Sequence, residues 1–460
     1  MINHVAVIDI GKTNAKLALV DTASLSEIDV RTRPNSVLAG PPYPRFDIDG
    51  IWDFVLDALA VLHAAHRIDA ISVTAHGASI ALLDNTGLLA CPLLDYEHDG
   101  PDDLKEAYDR IRPPFDETGS PRLAMGLNVG AQLFWLLKTQ EGLADRVETI
   151  VTYPQFWSGR LTGIHRAEFT SLGCHTDIWS PRDKDFSALV DTLGLRDKMA
   201  PLGRADECLG TLLPEIARRT GLPAETPVFS GIHDSNASLL PHLLSHDAPF
   251  SVVSTGTWVI SMAIGGRLEG LDPARDTLVN VNANGHPTPS ARFMGGREFE
   301  RMTPGDVAPN DADVRNVLDR RWFLLPAVEP GTGPFAGRMG GWTVPGMSVP
   351  ERSAALAFYL ALMTAECLAL VGADGEIIVE GPFARNPLYL DMLAAATTRP
   401  VLVTGTATGT SIGAALLATP KGATPLARPH VVATDMAGKM RGYASAWRQA
   451  VDQSAQPIDG

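Results

Sequence analysis

The sequence predicts an α/β protein built from two copies of one domain around a central cleft. Three observations carry that expectation. Short apolar strands alternate with amphipathic helices along the chain. A strand, glycine turn, strand pattern occurs twice, about half a chain apart. The 460 residues, 45% of them hydrophobic, suffice for two or three domains with ample core. The first copy is an apolar run over 5–9, a Gly/Lys/Thr/Asn turn and a second run over 17–21. The second copy is 251–254, then Thr255-Gly256-Thr257, then 258–264. Aligning Gly11 with Gly256 sets Asp9 opposite Ser254 and brings the apolar flanks into register. Domains are expected at 1–245 and 246–450.

Helical spacing is plain over 51–65, 132–138, 187–193, 212–219, 353–371, 388–397 and 411–417. Buried strands are expected over 70–74, 148–152, 227–231, 376–380 and 401–404. The Pro/Gly-dense stretch 326–350 reads as a long loop, a glycine turn over 405–409 is expected to open the final helix, and 454–460 reads as a frayed tail.

Charge and cysteine usage narrow the function. Lys and Arg number 38 against 53 Asp and Glu, a net charge of −15, which argues against a nucleic-acid partner. An anionic small molecule stays open, because backbone N–H groups can hold phosphate without a basic surface. Cys91, Cys174, Cys208 and Cys367 are scattered, with no C-x-x-C pair, and are expected to be buried reduced thiols. The N-terminus meets glycine and lysine before a signal-like apolar run forms. The apolar stretch 354–371 is interrupted by Thr364, Glu366 and Cys367 and reads as a buried helix, not a membrane span. A soluble, cytoplasmic protein with no membrane partner is expected.

Within Asp9-Ile10-Gly11-Lys12-Thr13-Asn14-Ala15-Lys16, the glycine lets backbone approach a ligand and successive amides can cradle an anion. Thr13 and Asn14 add donors, Lys12 or Lys16 adds positive charge, and Asp9 suits a hydrated Mg²⁺. An ordinary polar hairpin turn would carry the same residues. Thr255, Gly256 and Thr257 repeat the logic with hydroxyls, and two such turns suit a nucleoside triphosphate. Asp234 follows the run 227–230 and precedes a small-residue helix, the place where α/β sheets set ligand sites. It can accept a proton from an attacking hydroxyl or serve as a helix N-cap. His76 and Gly77, at another strand end, offer a ring nitrogen and approachable backbone to a polyhydroxylated ligand. Gly381 to Asn386 forms a further strand, turn, helix start facing a nucleoside.

In that order these motifs resemble the FGGY carbohydrate kinases, over nearly the whole chain. The segment 153–163, ending Arg160-Leu161-Thr162-Gly163, and the run from Glu168 to Asp177 are similar to family segments. The resemblance implies two duplicated actin/hexokinase-like (ribonuclease H-like) ATPase domains. It implies Asp9, Gly11, Thr13 and Lys16 at the first phosphate motif, beside the Asn14 donor, with Asp9 beside Mg²⁺. Thr255, Gly256 and Thr257 would form the second phosphate motif, and Gly381 and Asn386 the adenosine-side turn. His76 and Gly77 would line the sugar pocket, with Asp234 as the catalytic base. His233-Asp234-Ser235 and Ser254 to Trp258 are most similar to the rhamnulokinase branch. The implied activity is ATP-dependent phosphorylation of a ketose such as L-rhamnulose or L-fuculose, and a homodimer is allowed. A xylulose, ribulose or polyol kinase, or a non-catalytic actin-like ATP-binding module, is the alternative. The chain departs from the family at Glu380-Gly381-Pro382, where a glycine triplet is usual, and at Asp95-Tyr96-Glu97-His98-Asp99, where a Trp/Arg segment is usual.

Overall fold

The computed structural model describes residues 2–303, 305, 307–404, 409–419, 427–430 and 434–454. Of the expected glycine turn only Gly409 falls within them, and of the expected tail only Ser454. Two compact units emerge. The first holds residues up to 245, with 279–287 and the helix Thr410–Leu416; the second holds the rest.

In the first unit, β1 (His4–Ile10) and β2 (Asn14–Asp21) are near-continuous apolar runs, buried on both faces. They form an antiparallel hairpin, and β3 (Ser26–Pro34) extends it as a polar edge strand. The crossover helix α1 (Ile48–His66) starts where the Asp47 side chain accepts from Gly50 N at 3.1 Å. Its Ile51, Val55, Leu59 and Leu62 line one helix face and are buried. The chain returns as β4 (Ala70–Ala75), parallel to β1. After α2 (Tyr153–Thr162) come β5 (Cys208–Thr211) and β6 (Pro227–Phe229), which give the strand order β5-β6-β4-β1-β2-β3. A two-residue strand, β7 (Ile232–His233), also pairs with β4 and runs straight into α3 (Asp234–Ser245). The helix Thr410–Leu416 packs on α3 at a close approach: a Cβ on Gly413 would lie 1.7 Å from Ala237 O. Only glycine permits that contact, and it delivers Thr410 to the end of β1.

The second unit repeats the plan. β8 (Phe250–Thr255) and β9 (Val259–Ile264) form the antiparallel hairpin. β10 (Thr277–Val281) and β11 (Pro287–Phe293) extend it on one side. The long helix α4 (Val349–Leu370) leads to β12 (Glu376–Glu380), parallel to β8 as β4 is to β1. Next come α5 (Pro387–Thr397), β13 (Val401–Thr404) and β14 (Ala427–Pro429), giving the order β10-β11-β9-β8-β12-β13-β14. The helix α6 (Thr434–Gln453) closes the unit and buries Tyr443 and Trp447 in its core. The expected α/β class and its internal duplication are thus visible strand by strand. α4 is the one described helix long and apolar enough to cross a membrane; 78% of its apolar window is buried inside the protein.

One cysteine corrects the sequence reading. Cys91, Cys174 and Cys367 are buried, but Cys208 is exposed, because it starts β5 at the edge of the first sheet.

Candidate active site

Three neighbouring strands of the first sheet end together. Ile10 pairs with Ala75, and Ala75 pairs with His233, so Asp9, His76 and Asp234 are set at the carboxyl ends of β1, β4 and β7. That is where open α/β sheets hold ligands.

Asp9 is half-buried. Its Oδ2 accepts from Thr410 Oγ1 at 2.5 Å, and Lys16 Nζ lies 3.9 Å away while also bonding Glu27 at 2.9 Å. Burial raises the Asp9 carboxyl above its usual range; Thr410 and Lys16 pull it back, and Asp234 and Glu27 push it up again. An anion so disfavoured gains from a cation beside it. The donors here fit Mg²⁺, which takes one or two carboxylates and keeps water and phosphate oxygens for the rest. Among the described residues no three His, Cys, Asp or Glu side chains converge as a protein-only cage.

Asp234 opens α3. Its Oδ1 accepts from Ser235 N at 2.6 Å and Ser235 Oγ at 3.3 Å, and His233 Nε2 stands 3.1 Å away. Its bond goes to the adjacent amide, not to those two or three residues on that a capping carboxylate takes. Oδ2 accepts no hydrogen bond among the described residues.

His76 is buried beneath the rings of Phe46, Tyr96 and Tyr153, with centroids 5.3, 5.3 and 4.8 Å from its own. Burial drives its pKa down to about 4, so it is neutral at neutral pH. Its Nδ1 lies 2.8 Å from Gly77 O, which can only accept, so the ring proton sits on Nδ1. Nε2 is therefore a buried lone pair, and among the described residues it has no partner. A buried acceptor left open in this way calls for a donor from a ligand.

The first turn is pinned by Gly11 N donating to Asn14 O at 2.9 Å and by Asn35, whose Nδ2 donates to Gly11 O at 2.8 Å. Thr13 and Asn14 are exposed. Lys12 leaves the turn: it pairs with Asp95 and Glu97 and stands over the rings of Tyr96, at 4.6 Å, and Phe46, at 5.1 Å. In the second unit, Gly256 N donates to Trp258 O at 2.9 Å, and Gly256 and Thr257 are exposed. Thr255 is buried; its hydroxyl donates to Glu380 O at 2.6 Å and accepts from Phe383 N at 3.1 Å. Gly381 lies against it at φ +84°, and the Asn386 side chain caps α5 by accepting from Leu388 N and Tyr389 N.

Sequence reasoning missed three participants and cast a fourth, Lys12, for phosphate. Thr410 reaches Asp9 from 401 residues away, a contact no local pattern announces. Tyr96 and Lys12 join the His76 pocket. Cys174 lies against Gly77 and His233, where a Cβ on Gly77 would be 3.1 Å from its Sγ. The available signal was the unusual density of charge and aromatics over 95–99.

The comparisons with known proteins agree with this construction. Residues 4–241 match the N-terminal domain of the FGGY family of carbohydrate kinases, and 247–426 match the carbohydrate kinase FGGY C-terminal domain. A carbohydrate kinase from Novosphingobium aromaticivorans is 37% identical, with a TM-score of 0.90 over 98% of this chain and 99% of that one. A xylulose kinase from Lactobacillus acidophilus, 16% identical, shares the fold at a TM-score of 0.78 over 98% of both chains. L-fuculokinase of Salmonella typhi is 27% identical over 273 residues, 58% of this chain. That match spans only 57% of the length of the fuculokinase. Two domain matches that together take in most of the chain, and one relative alike along its whole length, place this protein: it belongs to the FGGY family of carbohydrate kinases.

Proposed function

We propose that this chain transfers the γ-phosphoryl group of ATP to a sugar hydroxyl, with Asp234 as general base and a ketose such as L-rhamnulose or L-fuculose as acceptor. The observation that carries the reading is the pair of open acceptors at adjoining strand ends. Among the described residues Asp234 Oδ2 has no donor, and His76 Nε2 is a buried lone pair without a partner. A polyol satisfies both: one hydroxyl donates to His76 and another presents its proton to Asp234. In the transfer step, Oδ2 takes that proton as the hydroxyl oxygen bonds to the γ-phosphorus. The bond between the γ-phosphorus and the bridging oxygen breaks, and ADP leaves.

The exposed side chains of Thr13, Asn14 and Thr257, with the close backbone approach that Gly11 and Gly256 allow, serve the phosphates, with Lys16 near Asp9. Gly381 and Asn386 form the adenosine-side turn. Asp9 would hold Mg²⁺, which neutralises phosphate charge when bound. The L-fuculokinase relatives support a ketose acceptor.

The test is ADP release across a panel of ketoses and polyols, including xylulose, ribulose, L-rhamnulose and L-fuculose. Acceptor-dependent ADP release with one ketose preferred is expected. Nucleotide binding with no acceptor dependence would instead mark a non-catalytic ATP-binding module. Asp234→Asn should cut turnover at least about 100-fold with ATP affinity nearly unchanged.

A further inference from the structure

The site contains a buried nucleophilic group that the transfer step does not use. Cys174 and the His233 ring meet at Gly77: a Cβ there would lie 2.9 Å from His233 Nε2 and 3.1 Å from Cys174 Sγ. The rings of His233 and His175 both act electrostatically on the thiol. The same His233 Nε2 stands 3.1 Å from Asp234 Oδ1.

We propose that His233 and Cys174 are positioning residues for Asp234: the sulfur fixes the ring, and the ring's Nε2–H holds Oδ1, leaving Oδ2 open to the acceptor hydroxyl. The inference rests on the reading of Asp234 as the base.

His233 has further partners. Its backbone N donates to Thr170 Oγ1 at 3.1 Å, and that hydroxyl donates to Glu168 Oε2 at 2.5 Å. Asn236 Nδ2 reaches to within 3.5 Å of His233 Nδ1. An amide nitrogen only donates, so in the neutral ring Nδ1 is the lone pair and Nε2 carries the proton. In the doubly protonated ring, the Asn236 amide turned over presents its oxygen to Nδ1, and Nε2 still donates. In both states the hydrogen on Nε2 faces Asp234.

The electrostatics favour the charged state. The titratable and charged groups facing the ring are Glu168 and Cys174, Asp234 on α3 and His76 at the end of β4; His175 faces the sulfur. Burial alone would lower the His233 pKa, but Cys174, Asp234 and Glu168 raise it to about 9. Burial alone would raise the thiol, but His175 and His233 bring it down to about 5. An imidazolium held by a thiolate presents a charged N–H to Asp234 Oδ1.

Kinetic pH profiles on wild type, Cys174→Ser, His233→Gln and Asp234→Asn test this. In Cys174→Ser the hydroxyl stays neutral, so His233 loses its proton at lower pH. The alkaline limb of kcat should then move down by at least about one pH unit, with KM for ATP within about twofold. His233→Gln keeps an N–H donor for Oδ1 but cannot titrate, so this limb should vanish while turnover stays well above that of Asp234→Asn. A limb unmoved in Cys174→Ser overturns the inference. Near wild-type turnover in Asp234→Asn would instead overturn the base assignment, so the two failures are distinguishable. A readout free of substrate is the ring-nitrogen NMR spectrum of histidine-labelled protein, with His233 assigned by its loss in His233→Gln. Its titration should fall in Cys174→Ser; an identical titration also overturns the inference.

Discussion

In the first hairpin Ile10 pairs with Ala15 across Gly11, Lys12, Thr13 and Asn14; in the second, Thr255 pairs with Val259 across Gly256, Thr257 and Trp258. The first turn is one residue longer, and the polar side chains are used differently. Both lysines of the first hairpin are taken by carboxylates, Lys12 by Asp95 and Glu97, Lys16 by Glu27 with Asp9 nearby. The second hairpin has no charge to spend, and its Thr255 hydroxyl is turned inward to tie β8 to the turn after β12. In each hairpin, then, side chains that look like phosphate ligands in one dimension hold the turn to its own unit. Backbone amides and a few exposed hydroxyls remain to meet an anion. The carboxylate is the deeper difference: Asp9 stands in the first copy where Ser254 stands in the second.

The largest effect should come from breaking that asymmetry. Asp9→Asn removes the only carboxylate on either hairpin ladder next to the glycine turn, and should lower kcat about 100-fold or more, the scale of losing one electrostatic stabiliser. It should also raise the Mg²⁺ concentration needed for half-maximal rate. Ser254→Ala, at the matching position, should stay within a few-fold of wild type in the same assay. Equal losses at the two positions would show that the hairpins share the metal duty after all.

Next in size is a contrast of stability. Gly381 has φ +84° and ψ −164°, a region open essentially to glycine alone, and a Cβ there would lie 2.0 Å from Thr255 O. Gly381→Ala should cost about 1–3 kcal/mol for the backbone alone. The overlap with Thr255 adds to that cost and lowers the melting temperature by several degrees. Gly11 carries no such strain, and a Cβ would lie 3.1 Å from Asn14 O. Gly11→Ala should leave the melting temperature nearly unchanged and act on KM for ATP. Thermal denaturation of both variants, with and without nucleotide, separates a glycine needed for folding from one needed for approach.

What could be read in one dimension follows the same division. The hairpins, β12 and α5 were legible because apolar runs there end at Gly, Pro or Asn with fixed turn chemistry, as at Asn386-Pro387. β3 was not, because as an edge strand it carries Glu27, Asp29, Arg31 and Arg33 and shows no apolar alternation. α2 is buried all round, so it has no amphipathic stripe to find. In the site, Asp9, His76 and Asp234 could be picked out because each stands at the end of an apolar strand. Thr410, Cys174 and Glu168 could not, since their roles arise from contacts between distant segments. The open lone pair on His76 is a matter of tautomer and burial, which only three dimensions decide.

The smallest expected effect is the sharpest on the first hairpin. Lys12 sits in a turn that a linear reading assigns to phosphate, yet its ammonium lies over Tyr96 and Phe46 and pairs with Asp95 and Glu97, beside His76. A cation over aromatic faces, partly withdrawn from water, contributes about 1 kcal/mol, a factor of about five to ten in an equilibrium constant. Lys12→Met keeps the length of the stem and removes the charge. If the lysine serves the acceptor pocket, KM for the sugar should rise about five- to tenfold, with KM for ATP within about twofold. If it serves the triphosphate, the two constants should exchange these responses. The ratio of the two KM changes therefore decides whether the first hairpin grips only nucleotide or also shapes the place where the sugar binds.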